Sequence, residues 1–241
     1  MRYNTRNRQV SYGEAIGVLL LDSVIPFIPG DVANATTYEF PVRFKKVPGF
    51  TVAKAVDKDD SVYDDLLTAA RDLAANGVRA VTGDCGFMAL HQQRLQKDLG
   101  LPVCLSSLLQ IPFIRHLIPA GTGIGILTAS GQGLTPDFFE AIGIPFGPDL
   151  LVHGMEAYPE FEAAVMNESG TLDAGNLRQE VVTASRKLLD LNCSVILLEC
   201  SVLPPYARSV YQATGLPVFD YLTMINQVFQ ALEPRRYKGF M

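Results

Sequence analysis

The sequence has no apolar run approaching the length of a membrane span, no C-x-x-C pair among its four cysteines, and no clustering of its three histidines. The first absence argues against a membrane-spanning protein. The second, in a chain of 241 residues without a secretory pattern, makes Cys85, Cys104, Cys193 and Cys200 free thiols rather than a disulfide framework. The third leaves His91, His116 and His153 without ligand spacing, so no metal is expected. Positive charge is also sparse. Net charge is -5, and Lys and Arg cluster only at Arg2/Arg6/Arg8, Lys45/Lys46 and Arg235/Arg236, which argues against a nucleic-acid surface. The basic stretch from Met1 to Val10 precedes an apolar one, as in a signal peptide. However, Glu14 and Asp22 bracket that run and no small-residue cleavage pattern closes it, so the expected compartment is the cytoplasm.

What is present is a globular composition, 48% hydrophobic and 19% charged, and a repeat. Cys85 stands 15 residues before Gly100 and Cys200 stands 15 before Gly215, and both glycines open the tetrapeptide Gly-Leu-Pro-Val. Eight residues before the cysteines stand Gly77 and Asn192, the residue types that best end a helix in the left-handed conformation. An acid, Asp84 or Glu199, directly precedes each thiol. So many matches at one offset indicate an internal repeat.

Each copy has the same grammar. Ser61 to Asn76 reads as a helix, with Ser61 as N-cap and Val62, Leu66, Ala70, Leu73 and Ala74 on one face. Leu177, Val181, Ala184, Leu188 and Leu191 repeat that face before Asn192. The short runs Val78 to Thr82 and Val195 to Leu198 suit buried parallel strands. Further strands are expected at Gly17 to Leu21, Phe40 to Val47, Val103 to Leu105, Gly125 to Thr128, Leu150 to His153 and Val218 to Asp220. The predicted fold class is α/β: two pseudo-symmetric Rossmann-like or flavodoxin-like halves, residues 14–118 and 119–220, each an open, mostly parallel sheet with helices on both faces. Residues 221–241 supply a last helix, Leu222 to Leu232, expected to pack back across the junction. Gly121, Gly123 and Gly125 precede a strand instead of following one, so they are assigned to the linker and not to a dinucleotide fingerprint.

Ligands of open parallel sheets bind beyond the carboxyl ends of the strands, where Cys85 and Cys200 both fall. If the halves face each other, the thiols flank one cleft. A helix entrance at Gly86 and after Ser201 offers free N–H groups to a thiolate or a bound carboxylate, and a small residue there admits the ligand. Two opposed thiols suit a racemase or epimerase: one removes the proton next to a carboxylate while the other delivers a proton to the opposite face. Cys104 and Cys193 correspond in the repeat to Phe219 and Val78 and are assigned to packing. In the second half, Thr135 is an N-cap candidate with Pro136 at the first helical position, and Thr128 and Ser130 are candidates for substrate hydroxyl contacts. Asp84 and Glu199 are expected to point to the face opposite the thiols, as helix-capping or strand-end anchors; if the strand ends bend, either raises the neighbouring thiol's pKa or accepts its proton, and the two titrate as a coupled pair.

Asp84-Cys85-Gly86 and Glu199-Cys200-Ser201, with the two matching halves around them, resemble the aspartate/glutamate/hydantoin racemase superfamily, which also includes maleate isomerase and arylmalonate decarboxylase. The resemblance covers most of the chain. It implies Cys85 and Cys200 as catalytic thiols, a small carboxylate-bearing substrate, no metal or cofactor, and a homodimer or higher homo-oligomer. By analogy with the family's substrate loops it adds Asp22, Ser23, Asn34 and Thr36, with Gly86, Phe87 and Ser201 beside the thiols. Cys85-Gly86-Phe87 and Cys200-Ser201-Val202 depart from the Cys-Asn-Thr and Cys-Thr-His of glutamate racemases. A racemase or epimerase is the first expectation, a decarboxylase-like or isomerase-like enzyme the second, and a non-catalytic ligand-binding protein or a disulfide-forming redox protein the rivals.

Overall fold

In the computed structural model, which describes residues 2–5 and 9–241, the chain forms two α/β halves of one plan. Arg6 and Arg8 of the basic cluster lie outside the described residues. The first half runs β1 (Ile16–Leu20), β2 (Val42–Lys46), α1 (Val52–Val56), α2 (Tyr63–Ala75), β3 (Ala80–Gly83), α3 (Gln92–Leu99), β4 (Val103–Cys104) and α4 (Ile111–Leu117). The second runs β5 (Gly123–Thr128), α5 (Pro136–Ala141), β6 (Leu150–Gly154), α6 (Pro159–Phe161), α7 (Ala174–Leu189), β7 (Cys193–Leu198), α8 (Ala207–Thr214) and β8 (Val218–Phe219). The closing helix is α9 (Tyr221–Leu232). The sheets are parallel throughout, with orders β2-β1-β3-β4 and β6-β5-β7-β8, which correspond strand for strand.

The central strands β1, β3 and β5 are buried almost end to end, as sheets covered on both faces require. The covering helices are seated alike in both halves. Gly17 of β1 lies where a Cβ would meet Leu73 Cδ1 at 2.9 Å, and Gly125 of β5 where a Cβ would meet Leu188 Cδ1 at 3.0 Å. Leu73 and Leu188 are repeat-equivalent, so a glycine on each central strand admits the same leucine from the last turns of α2 and α7. Gly77 and Asn192 take the expected left-handed conformation, φ +95° and +61°.

Three local expectations are corrected. Asp59, not Ser61, caps the chain entering α2: its carboxylate accepts from the Ser61 N–H at 2.9 Å, a 3-10 turn forms, and α2 starts at Tyr63. Leu191 is exposed because α7 ends at Leu189, before the helical period can turn it inward. Gly123 and Gly125 belong to β5 and not to a linker, because β5 starts two residues before the apolar run does.

Helix α9 opens on a capping box of Asp220 and Thr223. Its Tyr221, Met224 and Ile225 pack on Ile16, Val18, Ala80 and Cys104, so the last helix covers the first sheet. The Tyr221 hydroxyl donates to the Leu105 carbonyl at 2.7 Å. Among the described residues, no helix is long and apolar enough to cross a membrane.

Candidate functional site

Beyond Gly83 and Leu198 the chain leaves the two central sheets, and the residues that follow meet at the seam between the halves. Asp84 and Glu199 each hand their own N–H to the neighbouring strand, to Leu19 O at 3.0 Å and Leu127 O at 2.7 Å. Cys85 and Cys200 come next. Each thiol then faces the amides of a tight turn, those of Phe87 and Met88 for Cys85 and that of Val202 for Cys200. Ser201 Oγ donates to the Asp84 carbonyl and Ser107 Oγ to the Leu198 carbonyl at 3.0 Å, stitching one half to the other. Phe87 reaches from the first half into the glycine turn of the second, where a Cβ on Gly133 would lie 2.6 Å from its ring, and packs edge-on against Phe138.

Both thiols line one cavity of about 30 Å³. Its polar lining is Ser23, Asp84, Ser201 and the two cysteines; the rest is apolar, from Leu21, Ile25 and Phe27 to Val52, Phe87 and Val165. No Lys, Arg or His is among the lining residues. The volume holds about two waters, so a substrate enters only when a wall moves. The wall from Ser23 to Phe27 is tied down at several points, the Asn34 side chain donating to Phe27 O among them. The Val24 N–H donates to the Glu168 carboxylate at 2.9 Å, and Gly30, at φ +100°, sits against Pro205 where a Cβ would be 2.9 Å from Pro205 Cα. A larger open groove of about 410 Å³, lined by Tyr158, Glu160, Asn176 and Glu180 among others, contains neither thiol.

The electrostatics follow from burial without a cation. Burial pushes the Cys85 thiol far up, and the charges of Glu199 and Asp84 add to it; the turn amides oppose them. Burial and then Glu199 do the same to Cys200. Burial raises Asp84 to about 7 against the pull of the Leu21 N–H, which donates to its carboxylate at 2.9 Å. Burial raises Glu199 to about 7 as well. The Thr128 hydroxyl favours its charged form, yet neither Glu199 oxygen reaches a partner in hydrogen-bond geometry.

Of the candidates read from the sequence, Cys85, Cys200, Ser23, Phe87 and Ser201 meet at the cavity, with Gly86 between the first thiol and Glu199. The others are placed elsewhere. Asp22 is drawn to the surface by Lys46 Nζ at 2.8 Å and the Gly49 N–H. Asn34 caps its own turn, accepting from the Thr36 N–H at 2.9 Å and from the Thr36 hydroxyl, and donating to Phe27 O, so this pair shapes the loop. Thr128 is buried beneath Glu199, and Ser130 Oγ accepts from the Gly133 N–H at 3.2 Å. Asp84 lines the cavity beside Cys85, contrary to strict alternation, with its carboxylate accepting from the Leu21 N–H where β1 ends. The apolar walls at Ile25, Phe27, Val52 and Val165 were not singled out, since no sequence signal separates a cavity wall from core.

All four cysteines are free. Among the described residues, no group of three His, Cys, Asp or Glu side chains is arranged to hold a metal ion.

Comparison with known proteins places this arrangement in context. No family model matches the chain. It is 31% identical over 231 residues to dimethylsulfoniopropionate lyase 6 of Emiliania huxleyi (strain CCMP1516), a match covering 90% of this chain and 60% of the relative's length. In structure it is similar to arylmalonate decarboxylase (TM-score 0.55, 19% identity, covering 93% of this chain and 95% of that one). It is also similar to a glutamate racemase of Bacillus anthracis (TM-score 0.58, 12% identity, covering 91% and 83%).

Proposed function

We propose that this chain, which shares its fold with arylmalonate decarboxylase and glutamate racemase, removes a proton next to a carboxylate with a cavity thiol and eliminates a sulfonium leaving group, as a dimethylsulfoniopropionate lyase. The observation that carries this reading is the convergence of both thiols on an apolar cavity with no cationic side chain in its walls. A dicarboxylic amino acid would bring an ammonium and two carboxylates into that cavity, each needing a partner. A dimethylsulfonio group presents methyls and a diffuse positive charge instead. Such a group suits apolar walls, the rings of Phe27 and Phe87, and the nearby acids Asp84 and Glu199. Ser23 Oγ, buried and without a protein partner, is the free hydroxyl at the cavity for the substrate carboxylate.

The chemistry uses the first half of a racemisation. A thiolate takes the proton from the carbon next to the carboxylate. The electron pair left behind becomes the carbon-carbon double bond, the bond to sulfur breaks toward sulfur, and dimethyl sulfide and acrylate leave. The thiol ends protonated and returns its proton before the next turnover. The sequence likeness to lyases over 90% of the chain supports this order of preference. The repeat-equivalent pair of thiols favours the second reading, racemisation or epimerisation, which needs a donor on the opposite face as well as a base.

The test is incubation with dimethylsulfoniopropionate, reading dimethyl sulfide by gas chromatography and acrylate by NMR. Aspartate, glutamate, hydantoins and arylmalonates are run beside it in D2O. Release of dimethyl sulfide that is lost in Cys85→Ser and Cys200→Ser is the expected result. Deuterium exchange into an amino acid or hydantoin with no dimethyl sulfide would replace this reading with the racemase one.

A further inference from the structure

Glu199 is an acid of the site to which the elimination assigns no step beyond its nearness to the cation. It is 1% exposed, and both carboxylate oxygens lack a hydrogen-bond partner. Asp84, its equivalent in the repeat, is not in that position: its carboxylate is held by the Leu21 N–H. The backbones of the two residues are anchored alike, to Leu19 O and Leu127 O. They differ by one methylene. The longer side chain carries the Glu199 carboxylate across the seam to Gly86, the residue after Cys85, and a Cβ on Gly86 would fall inside that carboxylate. One acid thus follows the second-half strand directly before Cys200 and lies in space against the residue that follows Cys85.

The titratable groups on which this acid acts are Cys85 from the end of β3, Cys200 from its own strand end, and Tyr221 from α9, while Asp84 acts on Cys85 and Tyr221, and Asp31, from the loop after β1, is coupled to Asp84 and Cys200. No cation acts on either thiol. Among the described residues the turn amides are therefore what stabilises a thiolate, and burial works against it. A thiol in this setting ionises only if its proton stays in the site and the total charge does not change. We propose that Glu199 is the proton acceptor of the thiol pair: the S–H bond of Cys85 or Cys200 breaks, an O–H bond forms on the Glu199 carboxylate, and the negative charge passes to sulfur. The proton returns by the same route when the thiol's charge is no longer needed. This assignment rests on the thiols being the reacting groups, but its test needs no substrate.

Because the ionised acid with a neutral thiol and the neutral acid with a thiolate hold the same number of protons, their ratio is independent of pH. The thiolate share therefore rises until Glu199 has titrated, at about 7, and then stays level. Asp84 titrates in the same range and acts on Cys85, whereas Glu199 is the carboxylate that acts most strongly on Cys200; in Glu199→Gln the Cys200 thiolate share therefore keeps rising tenfold per pH unit. The experiment is iodoacetamide alkylation of the full chain from pH 5.5 to 9, with Cys85 and Cys200 resolved by peptide mass spectrometry. At Cys200 the wild-type rate should climb to about pH 7 and flatten, and Glu199→Gln should show no break and exceed wild type about 100-fold at pH 9, two units beyond. Asp84→Asn should keep the break. Superimposable profiles for wild type and Glu199→Gln would overturn the assignment. So would a wild-type profile without a break, including one in which neither thiol reacts, and that result needs no variant. Dimethyl sulfide release, measured separately, would stand or fall independently.

Discussion

Replacing Glu199 by Gln should stabilise the protein in alkaline solution relative to acid solution, because the fold holds this carboxyl group in its neutral form. The group is raised from 4.5 in the unfolded chain to about 7 in the fold, with burial as the main cause. The unfolded chain therefore gives up this proton as pH rises past 4.5, while the folded one keeps it to about 7. Stability due to this group is complete below 4.5, falls through that window and is level above it. A difference of this size corresponds to about 3 kcal/mol. Gln titrates in neither state, so its unfolding free energy relative to wild type should increase by about 3 kcal/mol between pH 4 and pH 8.5. The unpartnered amide adds a cost of about 1–3 kcal/mol at every pH, which is why the change between the two pH values is the quantity to read. Asp31, Asp84 and Asp220 are also raised by burial, but they titrate alike in both proteins and cancel. Urea unfolding of both proteins at the two pH values measures the difference. An increment that does not change with pH would mean that Glu199 is ionised in the fold as readily as in water, and the reasoning from its burial would be refuted.

Two further outcomes follow from the seam. Gly86→Ala places a methyl group inside the Glu199 carboxylate, so it should cost about 1–3 kcal/mol as overpacking; Glu199→Ala in the same chain should recover part of that loss, and thermal melts of the two singles and the double measure the coupling. Tyr221→Phe removes the donor to the Leu105 carbonyl and should lower stability by about 1–2 kcal/mol, read by urea unfolding, while leaving the iodoacetamide profile of Cys85 unchanged.

Much of this molecule could be read along the chain. The constant offset between Cys85 and Cys200, the helix ends at Gly77 and Asn192, and the apolar runs before each cysteine are short-range signals, and the two sheets with a thiol at the end of each central strand follow from them. Thr135 capping α5 was legible for the same reason, since a cap and its amide lie three residues apart. Boundaries were less so: Asp59 caps in place of Ser61 because a 3-10 turn over Asp60–Val62 precedes α2 and moves the cap back two residues, and propensity alone does not place that turn. What lies across the seam was not in any local pattern. Asp22 and Ser23 are adjacent in sequence, yet Lys46 draws one to the surface and the other lines the cavity. Asp84 and Glu199 read as the same anchor twice, but one added methylene takes Glu199 off its own strand end and onto Gly86 of the other half. Spacing and capping depend on residues a few positions apart and are fixed by the chain itself. Which acid meets which thiol depends on how two separately closed sheets dock, and only the tertiary structure decides that.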